Sequence, residues 1–388
     1  MPNPRDERVP VAVLGATGSV GQRFVQLLAR HPWFRVAELV ASERSTGRRY
    51  REATDWRLDA AMPDEAADLP VLDYGAQLDS PVVFSALPGE VAAEIEQRMA
   101  REGRALFSNT STHRMDPDVP LMIPEVNPGH VAALAAQRRN RGWSGLLVTN
   151  PNCSAIHLVL ALKPLHDAFG LDALAVTTMQ AVSGAGYPGV PSLDMIDNVV
   201  PFIPSEEEKM TEETKKLLGG WDDGFVPAEI TMTAHCNRVA VRDGHTECVS
   251  VRFKGEPTLA EVEEAFAAFR GRPQELGLPS APARPIVVRS ERNRPQPVLD
   301  RDTEHGMASV VGRISATYSP SSPTSASSGN ASGRTGNSAA RSRTATTTRG
   351  SSACRCAASR SSTERSASPQ TAASSVQPAV VPPARARP

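Results

Sequence analysis

The chain opens on an apolar run, Val11-Ala12-Val13-Leu14, that stops at a glycine-rich stretch, Gly15-Ala16-Thr17-Gly18-Ser19-Val20-Gly21. Phe24, Val25, Leu27 and Leu28 then recur at helical spacing, and Val36-Ala37-Glu38-Leu39-Val40 forms a second strand-like run. Strand, glycine turn, helix, strand is the order of a first βαβ unit. Residues 82–89 predict another strand and turn, 90–101 a surface helix, and 106–109 the next strand. Leu146-Leu147-Val148 leads into Asn150-Pro151-Asn152-Cys153-Ser154, followed by a continuous apolar run over 156–162 that reads as a buried helix. This alternation predicts an α/β protein with an N-terminal Rossmann-type, doubly wound parallel sheet.

From Ala173 the texture changes. Residues 175–182 are strand-like and run into Ser183-Gly184-Ala185-Gly186. Short, alternating, β-branched runs at 229–234, 238–241 and 247–253 predict a second, α+β domain with a mostly antiparallel sheet. Helical sequence covers 206–218, with Ser205 as its N-cap, and an amphipathic helix covers 259–269. Residues 298–314 predict a further strand pair. The last 74 residues hold three valines and one tyrosine but no Leu, Ile, Phe, Met or Trp. Such a segment cannot bury enough apolar surface to offset the entropy of ordering. The expected division is a nucleotide-binding domain over 1–152, a catalytic and dimerisation domain over 153–314, and a low-complexity, disordered segment over 315–388.

Composition sharpens this picture at three points. The 388 residues suffice for two ordinary domains. No apolar run reaches membrane-span length and residues 1–10 hold no secretory core, so no membrane partner and a cytoplasmic setting are expected. The net charge of −1 divides unequally: residues 315–388 carry nine arginines against one glutamate, which leaves −9 on residues 1–314. An acidic body gives no reason to expect nucleic acid. Five cysteines form neither a framework of paired spacings nor a metal site.

Cys153 falls where strand turns into helix. A thiol at a helix N-terminus meets unpaired N–H groups, which favour thiolate, and Ser154 is placed to cap. On position alone, a nucleophile and a small buried cysteine fit equally well. After the second strand, Ser42, Arg44 and Ser45 offer donors where an NAD enzyme usually has an acidic residue, so NADP is preferred, with Glu43 the dissenting neighbour.

At Asn150–Ser154 the chain resembles the aspartate-semialdehyde dehydrogenases, in the branch shared by archaea, fungi and some bacteria. The other segments that carry the likeness are 15–21, 108–115, Pro124-Glu125-Val126-Asn127, 180–186, 206–209, and Asn237-Arg238 through Gly244-His245. The resemblance runs from about Val9 to Ile314. It implies reversible conversion of an acyl phosphate and NADPH into an aldehyde, NADP and phosphate, in lysine, threonine and methionine synthesis.

Residue by residue, the resemblance implies Cys153 as the nucleophile of a thioacyl intermediate and Gln180 as the amide that orients it. His245 matches the general acid/base and Arg238 the clamp on the substrate α-carboxylate. Strand alternation would set Arg238 and His245 on opposite faces, so the intervening turn must realign them. Glu206 would bind the substrate amino group, with phosphate between Arg114 and Lys209. Gly15, Thr17, Gly18, Ser19, Val20, Gly21, Ser183 and Gly184 are the expected cofactor contacts, beside Ser42, Arg44 and Ser45. Partners would be aspartate semialdehyde or aspartyl phosphate, inorganic phosphate, and a second or further copy of the chain, as homodimer or homotetramer. A malonyl-CoA reductase-like relative shares the cysteine, histidine and cofactor fold, but a CoA thioester needs no phosphate site. The likeness stops after Ile314, where the family returns a strand and a helix to the first domain. A reading-frame change or a true tail would account for that, and an inactive relic is the third reading.

Overall fold

The structure, a computed structural model, describes residues 7–316 together with the strand Ser342–Arg349. Six strands make the first sheet: Val9–Leu14 (β1), Phe34–Val40 (β2), Val71–Leu72 (β3), Val82–Ser85 (β4), Ala105–Ser108 (β5) and Leu146–Thr149 (β6). They pair in parallel in the order β3-β2-β1-β4-β5-β6. Val11, Ala12 and Val13 are wholly buried, as strands covered on both faces must be. The strand order reverses between β1 and β4, the place where such sheets bind ligands.

The glycine turn is shaped for that place. Gly15 has φ +71°, and a Cβ on it would lie 2.4 Å from the Ala86 carbonyl oxygen in the turn after β4. No L side chain fits there. The helix Ser19–Leu28 (α1) follows with no side-chain cap at Gly18, so its first N–H groups are open to a ligand. The helices Gly89–Arg101 (α2) and Ala133–Arg141 (α3) continue the alternation. Phe24, Leu28, Phe34 and Phe84 line an apolar groove of about 250 Å³ together with Pro279 and Met307 from far along the chain.

After β6 the chain enters Cys153–Phe169 (α4), the centre of the second domain's core. Leu158, Val159 and Leu160 are fully buried, and α4 packs against Glu206–Leu218 (α5) and Leu259–Ala268 (α6). A continuous apolar run follows from burial on nearly every side. Each such leucine contributes roughly 1.5–3 kcal/mol by leaving water.

The second sheet holds Leu171–Gln180 (β7), Val200–Pro201 (β8), Thr231–Arg238 (β11), His245–Phe253 (β12), Ile286–Arg289 (β13), Ser309–Ala316 (β14) and Ser342–Arg349 (β15); Gly220–Trp221 (β9) and Phe225–Val226 (β10) form a separate hairpin. Its order is β13-β14-β15-β12-β7-β11-β8, and four of the six neighbouring pairs are antiparallel.

Several expectations change here. Of the runs expected at 229–234 and 238–241, the first extends to Arg238 as a single strand, β11, which lies parallel to β7, while 239–241 falls in the loop beyond it. Of the strand pair expected over 298–314, only β14 is a strand; Pro297–Asp300 is a helical turn, and β14 takes β13 as its parallel neighbour. Ser205 stands at the head of α5, but at φ 59° and without a side-chain cap. Within the segment expected to lack order, Ser315 and Ala316 finish β14 and Ser342–Arg349 pairs with β12 and β14. The rest of that segment lies outside the described residues. Among the described residues, no helix is long and apolar enough to cross a membrane.

Candidate active site

Asn152 caps α4. Its Oδ1 accepts the N–H groups of Ser154 at 2.9 Å and Ala155 at 3.2 Å. The cap expected at Ser154 is therefore two positions too late, and the Ser154 hydroxyl is buried without a partner among the described residues. Capping from Asn152 leaves Cys153 as the first helical residue, with its thiol at the helix mouth.

Around that thiol the second sheet presents three strand ends. β7 runs between β11 and β12, so the loop 239–244 crosses over its end rather than reversing within one face. Arg238 is in register with Gln180, and Thr246, next to His245, is in register with Met179. Arg238, Gln180 and His245 thus stand side by side across the sheet. That is how residues seven apart come to share a face. His245 Nε2 lies 3.1 Å from Cys153 Sγ. Gly184 permits the approach, since a Cβ there would lie 2.8 Å from Arg238 Nη1 and 3.1 Å from His245 Cε1. The glycine assigned to the cofactor thus packs on the two side chains beside the thiol.

Glu206 ties the strand ends to the cysteine turn. Its Oε1 accepts from Asn152 Nδ2 at 2.8 Å and from Gln180 Nε2 at 3.0 Å. It makes no ion pair with Lys209, although one helical turn separates them; Lys209 Nζ has no partner among the described residues. Arg114 is no loose loop residue. It is buried, with Nη1 2.9 Å from Glu213 Oε1, Nε 3.1 Å from the Thr110 carbonyl and Nη2 3.0 Å from the Asn109 carbonyl. Glu213 follows Lys209 by four positions on α5, so Lys209 and the partner of Arg114 lie on one helix face.

Electrostatics run against a simple helix-mouth thiolate. Both side chains of the pair are half-buried, and little water reaches the contact between them. Burial, seconded by the Glu206 carboxylate, pushes the Cys153 thiol up to about 12, while Arg114, the Ser154 N–H and Arg238 pull it down. Burial and then the Arg238 charge push His245 down to about 4. Without substrate, the pair is thus a thiol beside a neutral imidazole, and the dipole is outweighed.

Toward the first domain, a cleft of about 580 Å³ brings together Ser19 of the glycine turn, Ser183, Arg23, Arg57, Tyr187 and Arg242. The Arg57 guanidinium stacks 3.5 Å from the Tyr187 ring centre. Ser42 and Arg44 are exposed on the loop after β2, but Ser45 is buried, its N–H bonded to the Ser42 carbonyl. The glycine turn, the open start of α1 and this cleft suit a dinucleotide. Among the described residues no cluster is arranged to hold a metal ion, and Cys153, Cys236 and Cys248 are free thiols.

Sequence reasoning missed Asn152, Glu213, the peptide unit of Ala181, whose carbonyl accepts from Arg238 Nη1 at 2.8 Å, and the buried Glu247. Only Glu213 left a signal: it shares a helix face with Glu206 and Lys209.

A parallel nucleotide-binding sheet and a mixed-sheet domain that sets a thiol against an imidazole define an oxidoreductase of the NAD(P)-dependent kind. Residues 10–134 match the family described as semialdehyde dehydrogenase, NAD binding domain, and 162–322 match semialdehyde dehydrogenase, dimerisation domain. Aspartate-semialdehyde dehydrogenase of Methanothermobacter thermautotrophicus is 53% identical over 309 residues, 79% of this chain and 89% of that one. The Candida albicans enzyme is 44% identical over 320 residues, 78% of this chain and 88% of its own. The crystal structure of aspartate semialdehyde dehydrogenase with NADP from Candida albicans superposes with a TM-score of 0.75 at 37% identity, covering 88% of this chain and 93% of that one. The Vibrio cholerae enzyme II complexed with ASA gives a TM-score of 0.65 at 26% identity, with the same coverage. The chain belongs to the aspartate-semialdehyde dehydrogenase family.

Proposed function

We propose that this chain interconverts 4-phospho-L-aspartate and L-aspartate 4-semialdehyde with NADP as its cofactor, through a thioacyl group on Cys153. The contact of 3.1 Å between Cys153 Sγ and His245 Nε2, next to Gln180 and Arg238, carries the reading. A thiolate attacks the acyl carbon, and phosphate leaves. Arg238 holds the α-carboxylate with its planar fork, and Glu206 takes the amino group. Gln180, already held by Glu206, orients the acyl oxygen with an amide that does not titrate. His245 governs the charge at sulfur and at the thiohemiacetal oxygen. Arg114 and Lys209 receive the phosphate.

Gly15, Thr17, Gly18, Ser19, Val20, Gly21, Ser183 and Gly184 would hold the dinucleotide, with the exposed Ser42 and Arg44 toward a 2′-phosphate and the buried Ser45 supporting their loop. Bound there, it supplies the hydride donor or acceptor. The second domain makes a homodimer or homotetramer, and the enzyme serves lysine, threonine and methionine synthesis in the cytoplasm.

The test is a phosphate-dependent assay of NADP reduction by the semialdehyde, joined to mass spectrometry of the enzyme quenched with aspartyl phosphate. An acyl adduct on the peptide bearing Cys153 is expected. Turnover with no adduct on that peptide would remove the covalent step from the reading.

A further inference from the structure

Lys216 is a buried lysine with no part in the proposed chemistry, and its ammonium is fully occupied. Nζ donates to the Arg114 carbonyl at 2.8 Å and to the Asp116 and Val119 carbonyls, each at 3.1 Å. An ammonium has three N–H groups, so three carbonyls use them all. The Phe225 ring closes another side, its centre 3.9 Å from Nζ. Three carbonyls of one loop thus converge on a single cation. Without the charge their oxygens would face one another across a space largely closed to water, so the curl of residues 114–119 depends on it.

α5 therefore holds Arg114 by both of its parts. Glu213 takes the guanidinium and Lys216 the main chain. Lys209, Glu213 and Lys216 recur at i, i+4 and i+7, one stripe of the helix. The helix that carries one proposed phosphate ligand thereby sets where the backbone of the other stands.

We propose that Lys216 is a positioning residue for the phosphate site: its ammonium folds the 114–119 loop around itself and so fixes Arg114 at its working distance from Lys209. This rests on the reading of Arg114 and Lys209 as the phosphate ligands, and adds the group that sets their spacing. A misplacement of about 1 Å in such a site costs roughly 100-fold.

The hold weakens as pH rises. Burial lowers Lys216 to about 8, against the pull of Asp116, Glu213 and Asp118. From α3, Arg141 pairs with both of those aspartates, and His113 pairs with Asp116. The His130 ring centre lies 5.0 Å from that of Phe225, and burial pushes that histidine down. In the turn between β9 and β10, Asp222 and Asp223 are exposed. Once neutral, the amine keeps two N–H groups and turns a lone pair toward the third carbonyl.

Calorimetric titration of inorganic phosphate into the full-length protein with NADP bound reads the site without turnover. Lys216→Met keeps an apolar stem of similar length and loses the charge. It should weaken phosphate binding at about pH 7 by at least about tenfold, while NADPH affinity, read by fluorescence, stays within about twofold. Retained phosphate affinity, or an equal loss for phosphate and NADPH, would overturn the proposal. Should that variant not fold, the parent decides. Between about pH 7.5 and about pH 9 its phosphate affinity should fall roughly tenfold as the ammonium gives up its proton, with NADPH binding unchanged. Phosphate only gains negative charge over that range, so its own ionisation cannot produce the fall. A flat profile, or a parallel fall for NADPH, would overturn the idea. Arg114→Gln separates this proposal from the reading beneath it, since both variants should lose phosphate. If Arg114→Gln binds phosphate as the parent does, the phosphate site of the proposed function falls, and the role of Lys216 with it. If Arg114→Gln loses phosphate and Lys216→Met does not, that site stands and Lys216 has no part in it.

Discussion

Arg114 and Glu213, ninety-nine positions apart in the chain, meet as a buried ion pair with Nη1 2.9 Å from Oε1. The second oxygen of the same carboxylate accepts the Asn152 N–H at 2.5 Å. One side chain of α5 therefore joins the loop after β5 to the turn that starts the cysteine helix. Burial raises the Glu213 carboxyl, and the Arg114 charge holds it down. Between them they set two candidate sites, one for phosphate and one for the nucleophile, at a fixed spacing.

Glu213→Gln should strike both sites at once. It leaves the Arg114 guanidinium buried without a counter-charge, a loss of about 3–5 kcal/mol when one partner of such a pair is removed. For a chain of this size that is a fall in Tm on the order of 10 °C. Adding Arg114→Met should return most of the stability but none of the phosphate-dependent activity. A single variant that melts like the parent would mean the pair holds nothing together.

Cys153→Ser keeps the shape of the helix start and exchanges a polarisable nucleophile for a weak one. Phosphate-dependent reduction of NADP should fall by roughly 10³-fold or more, while melting stays near the parent value. Near-normal turnover in the serine variant would sink the assignment of the nucleophile.

Arg238 and His245 flank Gln180 from the two sides, and their losses should separate kinetically. Arg238→Lys keeps the charge but not the fork, so KM for the semialdehyde should rise with kcat less affected. His245→Ala should lower kcat by roughly 10²–10⁴-fold, the range for removing a general acid or base. The same modest rise in KM from both variants would show the division of roles to be wrong.

Cofactor choice rests on the loop after β2. Arg44 is exposed there, whereas Ser45 is buried and turned into its own loop. Arg44→Ala should narrow the preference for NADPH over NADH by about tenfold, the worth of one charged hydrogen bond. Ser45→Ala should leave it unchanged. Equal affinity of the parent for both cofactors would contradict the reading of this loop.

What the sequence disclosed was local. The run Val11–Leu14, the glycine turn and the helical spacing of Phe24 to Leu28 are one short stretch in which the period changes from strand to helix. The same holds for Cys153, whose place at a helix start is written in Asn150–Ser154 and the apolar run that follows. What stayed hidden depends on contacts far apart in the chain. Nothing near Glu213 says that its oxygens reach Arg114 and Asn152. The apolar Val239-Ala240-Val241 reads as strand but lies in the loop, because β11 ends at Arg238, where the chain turns across the end of β7. At the cap, Asn152 and Ser154 are both able residues, and only the helix start distinguishes them. The dipole argument for a thiolate failed for want of the burial term, which no sequence pattern states.

Glu247 gives the last prediction, and it concerns stability against pH. It is fully buried on β12, two positions from His245, and neither carboxyl oxygen has a hydrogen-bond partner among the described residues. Burial, and then the charge of Glu206, raise it well above the ordinary glutamate range. A carboxyl of that kind binds more protons folded than unfolded once pH exceeds the unfolded value of about 4.3. Stability then has a negative slope in pH, and is lost as pH climbs from that value toward the folded one. Glu247→Gln has the same shape and no proton to lose. Its Tm relative to the parent should therefore improve steadily between about pH 5 and about pH 8. Melting both proteins across that range checks it. A gap that stays constant, or narrows as pH rises, would mean that Glu247 ionises freely in the folded protein and is not held as the neutral acid.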